Sequence, residues 1–369
     1  RLVSTSILIV YATVLWGADY YWVGGSGNWT DITHWSTTSG GSTQQVAVPS
    51  FLDRVIFDNN SFSAPNQTVT IVGEVFCAGM EWKSVSGMPT LSGSSGSILN
   101  VYGDLMIGDM QWSLQGKTIL WGSGTVTQIN TGGITLLGDL EINLGSGNTL
   151  SQKSNLVAGN AIRLMGGNWN SGGYRIQAAS IRLDPMGSST ITWQNSTIQF
   201  SGNTNDLFVQ TDMVNLNSNA SAIWMGGSSC SVQLGGSKPV AFATLSTTDV
   251  NGLLTINNKT ASGTIPNISF SNLTMGSNAV FRGPVQTDRL ELTAGHTYTF
   301  AATNWYPVRQ LVAVGSCEAP VLLSSDQPGV SATLQSDVSQ SVEYVRIQDI
   351  EAIGSVFSAG NSSGTGITT

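Results

Sequence analysis

A short motif recurs along this chain, and that recurrence limits the possible folds more than any other feature. Residues 98–107 read ILNVYGDLMI, 133–142 read GITLLGDLEI and 155–164 read NLVAGNAIRL, with shared glycines at 103, 138 and 159. Looser echoes follow at residues 180–183, 196–200, 253–257, 268–270 and 289–293. Each is a short stretch of period two that ends on Gly, Asn or Ser-Gly, with no helical period between them. Short strands recurring about every 20 residues cannot bury an apolar face alone, so each repeat must stack on the last. The expected fold is therefore all-β: a right-handed parallel β-helix, a solenoid, with an aromatic-rich N-terminal β cap. One coil of about 20 residues holds two or three strands, and successive coils rise by about 4.8 Å. Roughly ten coils are expected over residues 95–300, a rod of about 50 Å. Val, Leu, Ile and Met fill its inward positions, and Thr, Ser, Asn and Gln its outward ones. Asn and Gly suit the corners, where φ is often positive. A β-sandwich is the rival, but its longer strands at 8–12-residue spacing and its hairpin signals are sparse here.

Composition supports stacking and excludes other classes. Charged residues are 10% of the 369, with only 7 Glu and 5 Lys, too few to clothe the exposed faces of long helices. Aromatic residues at 8% and apolar strands throughout exclude a disordered chain. The net charge of −8 and the absence of any Lys/Arg run argue against a nucleic-acid partner. Cys77, Cys230 and Cys317 are odd in number, far apart and without a nearby CxxC or His. They make neither a disulfide framework nor a zinc site and are expected to be buried free thiols.

Three zones are expected. Residues 1–17 carry a positive start, the apolar run 7–16 and a small-residue exit, the parts of a secretory signal peptide; a β-strand capping the next zone is the alternative. The run is shorter than the ~20 residues a bilayer span needs. Residues 18–95 form the aromatic-rich cap, with Trp22, Trp29 and Trp35 inside fourteen positions. These rings are expected to pack as a small core; a platform for sugar rings is the competing reading. Residues 96–369 form the β-helix, with 319–325 and 341–349 as late strands, and the natural chain is expected to extend beyond both ends.

The stretches YYWVGGSGNWTD at 20–31, His34-Trp35-Ser36, DRVIFD at 53–58, Cys77 to Trp82 and Leu91-Ser92-Gly93 resemble the opening of a family of very large Bacteroidetes cell-surface proteins. Cys317 to Ser325 and Tyr344 to Asp349 are similar to the recurrent module end of that family. The resemblance covers residues 20–95 and 310–360 and is one of style in between. It implies an adhesin displayed at the outer-membrane exterior after type IX secretion, in some members associated with gliding motility. Implied partners are the secretion and surface-attachment machinery and extracellular surfaces or polysaccharide. The chain departs from the family in lacking, within these residues, a C-terminal sorting domain.

Parallel β-helices also host polysaccharide lyases and hydrolases, so carboxylate pairs matter. Asp139 and Glu141 lie two apart on one strand face, roughly 6.8 Å, a spacing that suits an inverting glycosidase. Leu136, Leu140 and Ile142 define the inward face, so both acids are expected to form a solvated outer face. Asp349 and Glu351 repeat the spacing at a strand end. His34 lies in the aromatic zone and His296 in a Gly-His turn, and neither has a nucleophile elbow beside it. No GxSxG, HExxH, P-loop or EF-hand pattern occurs. No catalytic, cofactor, metal or ligand-contact residue is assigned, and no cofactor is expected. The expected function is a rigid adhesive rod without enzyme activity; the alternative is a carbohydrate-active β-helix. Nine Asn-X-Ser/Thr sequons, Asn195, Asn267 and Asn272 among them, arise by chance in so Asn-, Ser- and Thr-rich a chain.

Overall fold

Apolar residues alternating with Thr, Ser and Asn give strands with one inward face, and the Gly- and Asn-rich gaps between them turn the chain through each corner. In the computed structural model, which describes residues 17–122, 124–258 and 268–365, those strands stack into a parallel β-solenoid. Three walls run along it. The first begins with Asp19–Trp22, Arg54–Phe57 and Gly79–Trp82 and ends at Val214–Asn217. The second begins with Gly27–Asn28, Thr68–Ile71, Thr90–Gly93 and Gln111–Leu114 and resumes from Thr135–Leu136. The third is a sheet of 14 strands from Glu74–Cys77 to Ser363–Thr365. Between Ile98–Val101 and Thr297–Phe300 it holds the ten coils expected. Their length varies: Ile98 pairs with Lys117, whereas Ser180 pairs with Asp206. Among the described residues the one helical turn is Ile32–His34.

Register explains the core. In the third wall Leu140 pairs with Ile162, Ile162 with Ile181, Ile181 with Leu207, and Leu207 with Val232. Val232 then pairs with Ile256, and Ile256 with Phe281. All seven are buried, so one inward column runs through seven coils. Each such side chain contributes about 1.5–3 kcal/mol by leaving water. Aromatic rings continue the column, with Phe281 stacked on Phe300 at 4.8 Å.

The cross-section changes partway along. Val240–Thr247 pairs with Ile268–Met275 on both sides of Ala243, which marks a bend rather than a break. From there one bent strand turns a corner that two separate strands formed earlier, and the first wall has ended.

The aromatic zone is core. Trp22, Trp29 and Trp35 are at most 1% exposed, with Trp35 edge-on to Trp22 at 4.9 Å and to Trp29 at 5.1 Å. Phe57 stacks on Trp82 at 4.0 Å. The Trp35 indole N–H donates to the Trp29 carbonyl at 2.7 Å, so its burial strands no donor. Gly27 is required here, since a Cβ at that position would stand 2.0 Å from the His34 ring. Trp35–Ser36 pairs antiparallel with Tyr21–Trp22 and so covers the outer edge of the first coil. The ladder crosses residue 95 unbroken, because Arg54–Phe57, Gly79–Trp82 and Leu105–Met106 are successive strands of one wall. Residues 1–16 of the signal-like segment lie outside the described residues.

Candidate functional site

The two acids weighed as a catalytic pair point apart. Glu141 lies on Leu140–Asn143 and reaches back one coil to Lys117 at 2.8 Å, its side chain only 16% exposed. Asp139 sits in the preceding corner and reaches forward one coil, accepting the Ala161 backbone N–H at 3.2 Å. Their outward direction is as expected, but the solvated acidic face is corrected: both are half-buried and bonded to neighbouring coils. The second pair is likewise divided. Asp349 occupies a left-handed corner (φ 53°) and accepts the Gly329 N–H at 2.9 Å, while Glu351 accepts the Thr333 hydroxyl at 3.0 Å. Neither pair leaves two carboxyl groups facing one bond, the geometry glycoside hydrolysis requires.

One use of these side chains recurs. Asp104 accepts from the Gln128 N–H at 2.7 Å, Asn155 from Arg175 at 3.0 Å, Asn168 from Thr190 at 2.7 Å and Asn278 from Thr297 at 2.9 Å. Each carboxylate or amide sits near a corner, where the ladder lapses, and takes a backbone donor of the following coil. Asp212 does the same with Ser237 and Lys238, and these hydrogen bonds hold its carboxyl below the ordinary range. A lowered folded pKa contributes stability above the unfolded value and loses it as pH falls through the folded one. The Asp212→Asn variant is therefore expected to have a lower urea midpoint than the parent at pH 7. The gap is expected to close as pH falls below the ordinary Asp range; a gap constant across that titration would refute the assignment.

Among the described residues neither histidine stands beside a nucleophile, and His34 serves packing. His34 stacks on Trp22 at 4.6 Å, with Nδ1 2.7 Å from the Val23 carbonyl, and His296 is half-buried where its carbonyl accepts from Leu322. Cys77 and Cys230 are buried as expected, and burial pushes both thiols up. Cys317 corrects the third assignment: it is exposed, because it follows the strand Trp305–Ala313 in an open turn rather than filling an inward position. A thiol reagent at pH 8 is expected to titrate one thiol in the native protein and three in denaturant. Three at once in the native protein would refute the burial. Of the named sequons, Asn195 lies in a left-handed corner, Asn272 is on a strand and Asn267 is outside the described residues.

Sequence reading missed a second aromatic group, on the outside. Phe51, Tyr102 and Trp121 form a row at the corner between the third and first walls, with centroids 5.6 and 5.8 Å apart. Tyr102 follows strand Ile98–Val101 and Trp121 follows Lys117–Leu120, which pair residue for residue. The coil before them carries Ala78 at that place, and Phe51 reaches across it. Beside the row lies an open trough of about 440 Å³ with Ala78 and Gly79 as its floor. Arg54, Glu81, Asp104 and Val126 also line it. Arg54 is fixed by a two-pronged bond to Asp19 at 2.9 and 2.8 Å and is 3.9 Å from Glu81. Among the described residues no three His, Cys, Asp or Glu side chains converge as a metal site requires. No family model, curated protein or solved structure matches the chain.

Proposed function

We propose that this chain is a secreted, cell-surface structural and adhesive module, a stiff rod held outside the outer membrane for surface attachment and associated with gliding motility. The observation that carries the reading is the third wall, 14 strands in one parallel ladder. At ~4.8 Å per step it spans about 60 Å, and all its coils share a single core. A stiff rod separates whatever it bears from the surface that anchors it. The resemblance of residues 20–95 and 310–360 to the Bacteroidetes surface proteins supplies the secreted setting, the type IX route and the partners: secretion and attachment machinery and extracellular surfaces or polysaccharide.

The same reading makes the chain a binder rather than an enzyme. The acids at the two candidate pairs are engaged in coil-to-coil bonds, Glu141 with Lys117, Asp139 with Ala161, Asp349 with Gly329 and Glu351 with Thr333. Beads coated with the protein are expected to stay on glycan-coated or abiotic surfaces under flow that removes albumin-coated beads, and equal removal would refute attachment. Incubation with pectin, alginate or mannan is expected to release no reducing ends and no unsaturated products. Release abolished by Asp139→Asn or Glu141→Gln would replace this reading with the carbohydrate-active one. Protease treatment of intact cells tests display: the chain is expected to be clipped while periplasmic markers survive.

A further inference from the structure

We propose that the trough over Gly79, together with the ring row Phe51–Tyr102–Trp121, binds a neutral polysaccharide lying along the rod. This rests on the attachment reading and gives it a ligand class and an address.

The recess exists because side chains are missing from its floor. Gly79 pairs with Arg54 of the coil before, and its own outward position is empty. A Cβ there would stand 3.2 Å from the Asp104 carbonyl. Polar groups of both hydrogen-bonding senses surround the gap. The Arg54 guanidinium donates only, and the Glu81 and Asp104 carboxylates accept only. Sugar hydroxyls do both, so one sugar ring bridges such groups. The guanidinium is already oriented by Asp19 and Glu81, which reduces the ordering cost of binding. About 440 Å³ is within the usual range of small-ligand sites.

Charge chooses among glycans. Three carboxylates (Asp19, Glu81, Asp104) and one guanidinium leave the neighbourhood net negative, which repels uronate polymers such as alginate and pectin.

The ring row supplies the apolar half of the contact. The chain's other large aromatic groups, around Trp35 and around Phe281, are inside the solenoid. Here Phe51 is 52% exposed, and Tyr102 and Trp121 are half-buried. Trp121 is also held in place: its indole N–H donates at 2.8 Å to Asn100, a residue 1% exposed and itself bonded to Glu74 at 2.9 Å. The ring centroids, 5.6 and 5.8 Å apart, match successive sugars of a chain, since a pyranose unit is of about that length. Sugar C–H faces gain from such rings what apolar groups gain from any aromatic surface.

Affinity electrophoresis of the whole protein tests the proposal, with mannan or hydroxyethylcellulose in one set of gels and alginate or pectin in the other. Retardation is expected in at least one neutral gel and in neither anionic gel. Tyr102→Ala is expected to weaken binding about tenfold, as loss of one stacking ring does. Gly124→Gln is expected to block the trough while leaving the fold intact, since a Cβ at Gly124 meets nothing nearer than the Val126 carbonyl at 3.9 Å. Met186→Ala, at a distant exposed position, is expected to change nothing. Equal unfolding midpoints of all variants establish that the effects are local. Retardation by the anionic polymers alone, retardation unaffected in both trough and ring variants, or none in any gel would each overturn the site. Bead retention under flow then reports separately on attachment, which survives if beads still hold.

Discussion

Trp35→Ala is expected to lower the stability of the N-terminal coils by about 3–5 kcal/mol, the usual range for emptying a large buried aromatic position. The side chain is 0% exposed and touches Trp22, Trp29 and Phe57, so alanine leaves a void lined by three rings. It also removes the donor to the Trp29 carbonyl, leaving a buried acceptor without its partner. Because Trp35–Ser36 covers the edge of the first coil, weakening it opens backbone donors and acceptors to other chains as well. In a solenoid each coil contacts mainly its neighbours, so the loss is local. Denaturation followed by far-ultraviolet circular dichroism is expected to show an early transition, with the remaining coils melting as before. A single unshifted transition would mean that the tryptophans do not hold this end.

The second large effect falls on a glycine of the repeat. A Cβ on Gly138 would lie 1.6 Å from the Gly116 carbonyl oxygen, and one on Gly116 would lie 1.9 Å from that of Ser97. These positions sit at the corner where the chain enters the third wall, and there consecutive backbones nearly touch. Gly138→Ala must therefore push two coils apart inside a closed ladder, at a cost of about 1–3 kcal/mol or more. Gly187→Ala is the matched control, as nothing lies within 4 Å of its added methyl. Urea midpoints measure both. Equal midpoints for the two variants would show that the corner relaxes freely.

Gly138 also shows what could be read from the chain and what could not. Its recurrence with Gly159 marked one corner, before the paired strands Leu140–Asn143 and Ala161–Gly166, and the stack of parallel coils followed. The alignment with Gly103 is corrected, because Gly103 lies at another corner, between the third-wall strand Ile98–Val101 and the first-wall strand Leu105–Met106. The inward alternation of Leu140, Ile142, Ile162 and Leu164 was equally plain, because a strand's two faces are written in neighbouring residues. Contacts between coils are not. Glu141 and Lys117 are 24 residues apart and meet only once register is known. Spacing within a strand put Asp139 and Glu141 on one face but said nothing of their opposite directions along the axis. Phe51, Tyr102 and Trp121 escaped notice for the same reason, being scattered in the chain and adjacent only through stacking. The bend at Ala243 has no local mark, since an ordinary alanine turns the strand without a glycine or proline to announce it.

The direction of the ladder decides how such a solenoid yields under load. Interstrand hydrogen bonds in the walls run along the axis, so tension between the two ends pulls them open coil after coil instead of shearing many together. Each coil that peels off, such as the stretch from Ser229 to Leu253, surrenders roughly 80 Å of extended chain in place of ~4.8 Å of rod. A sudden tug is thus converted into length at modest force while the coils beyond the breach keep their shape. The Trp35 edge biases that yielding toward the opposite end. A solenoid built this way absorbs a jolt by lengthening in steps and can rewind when the strain is gone.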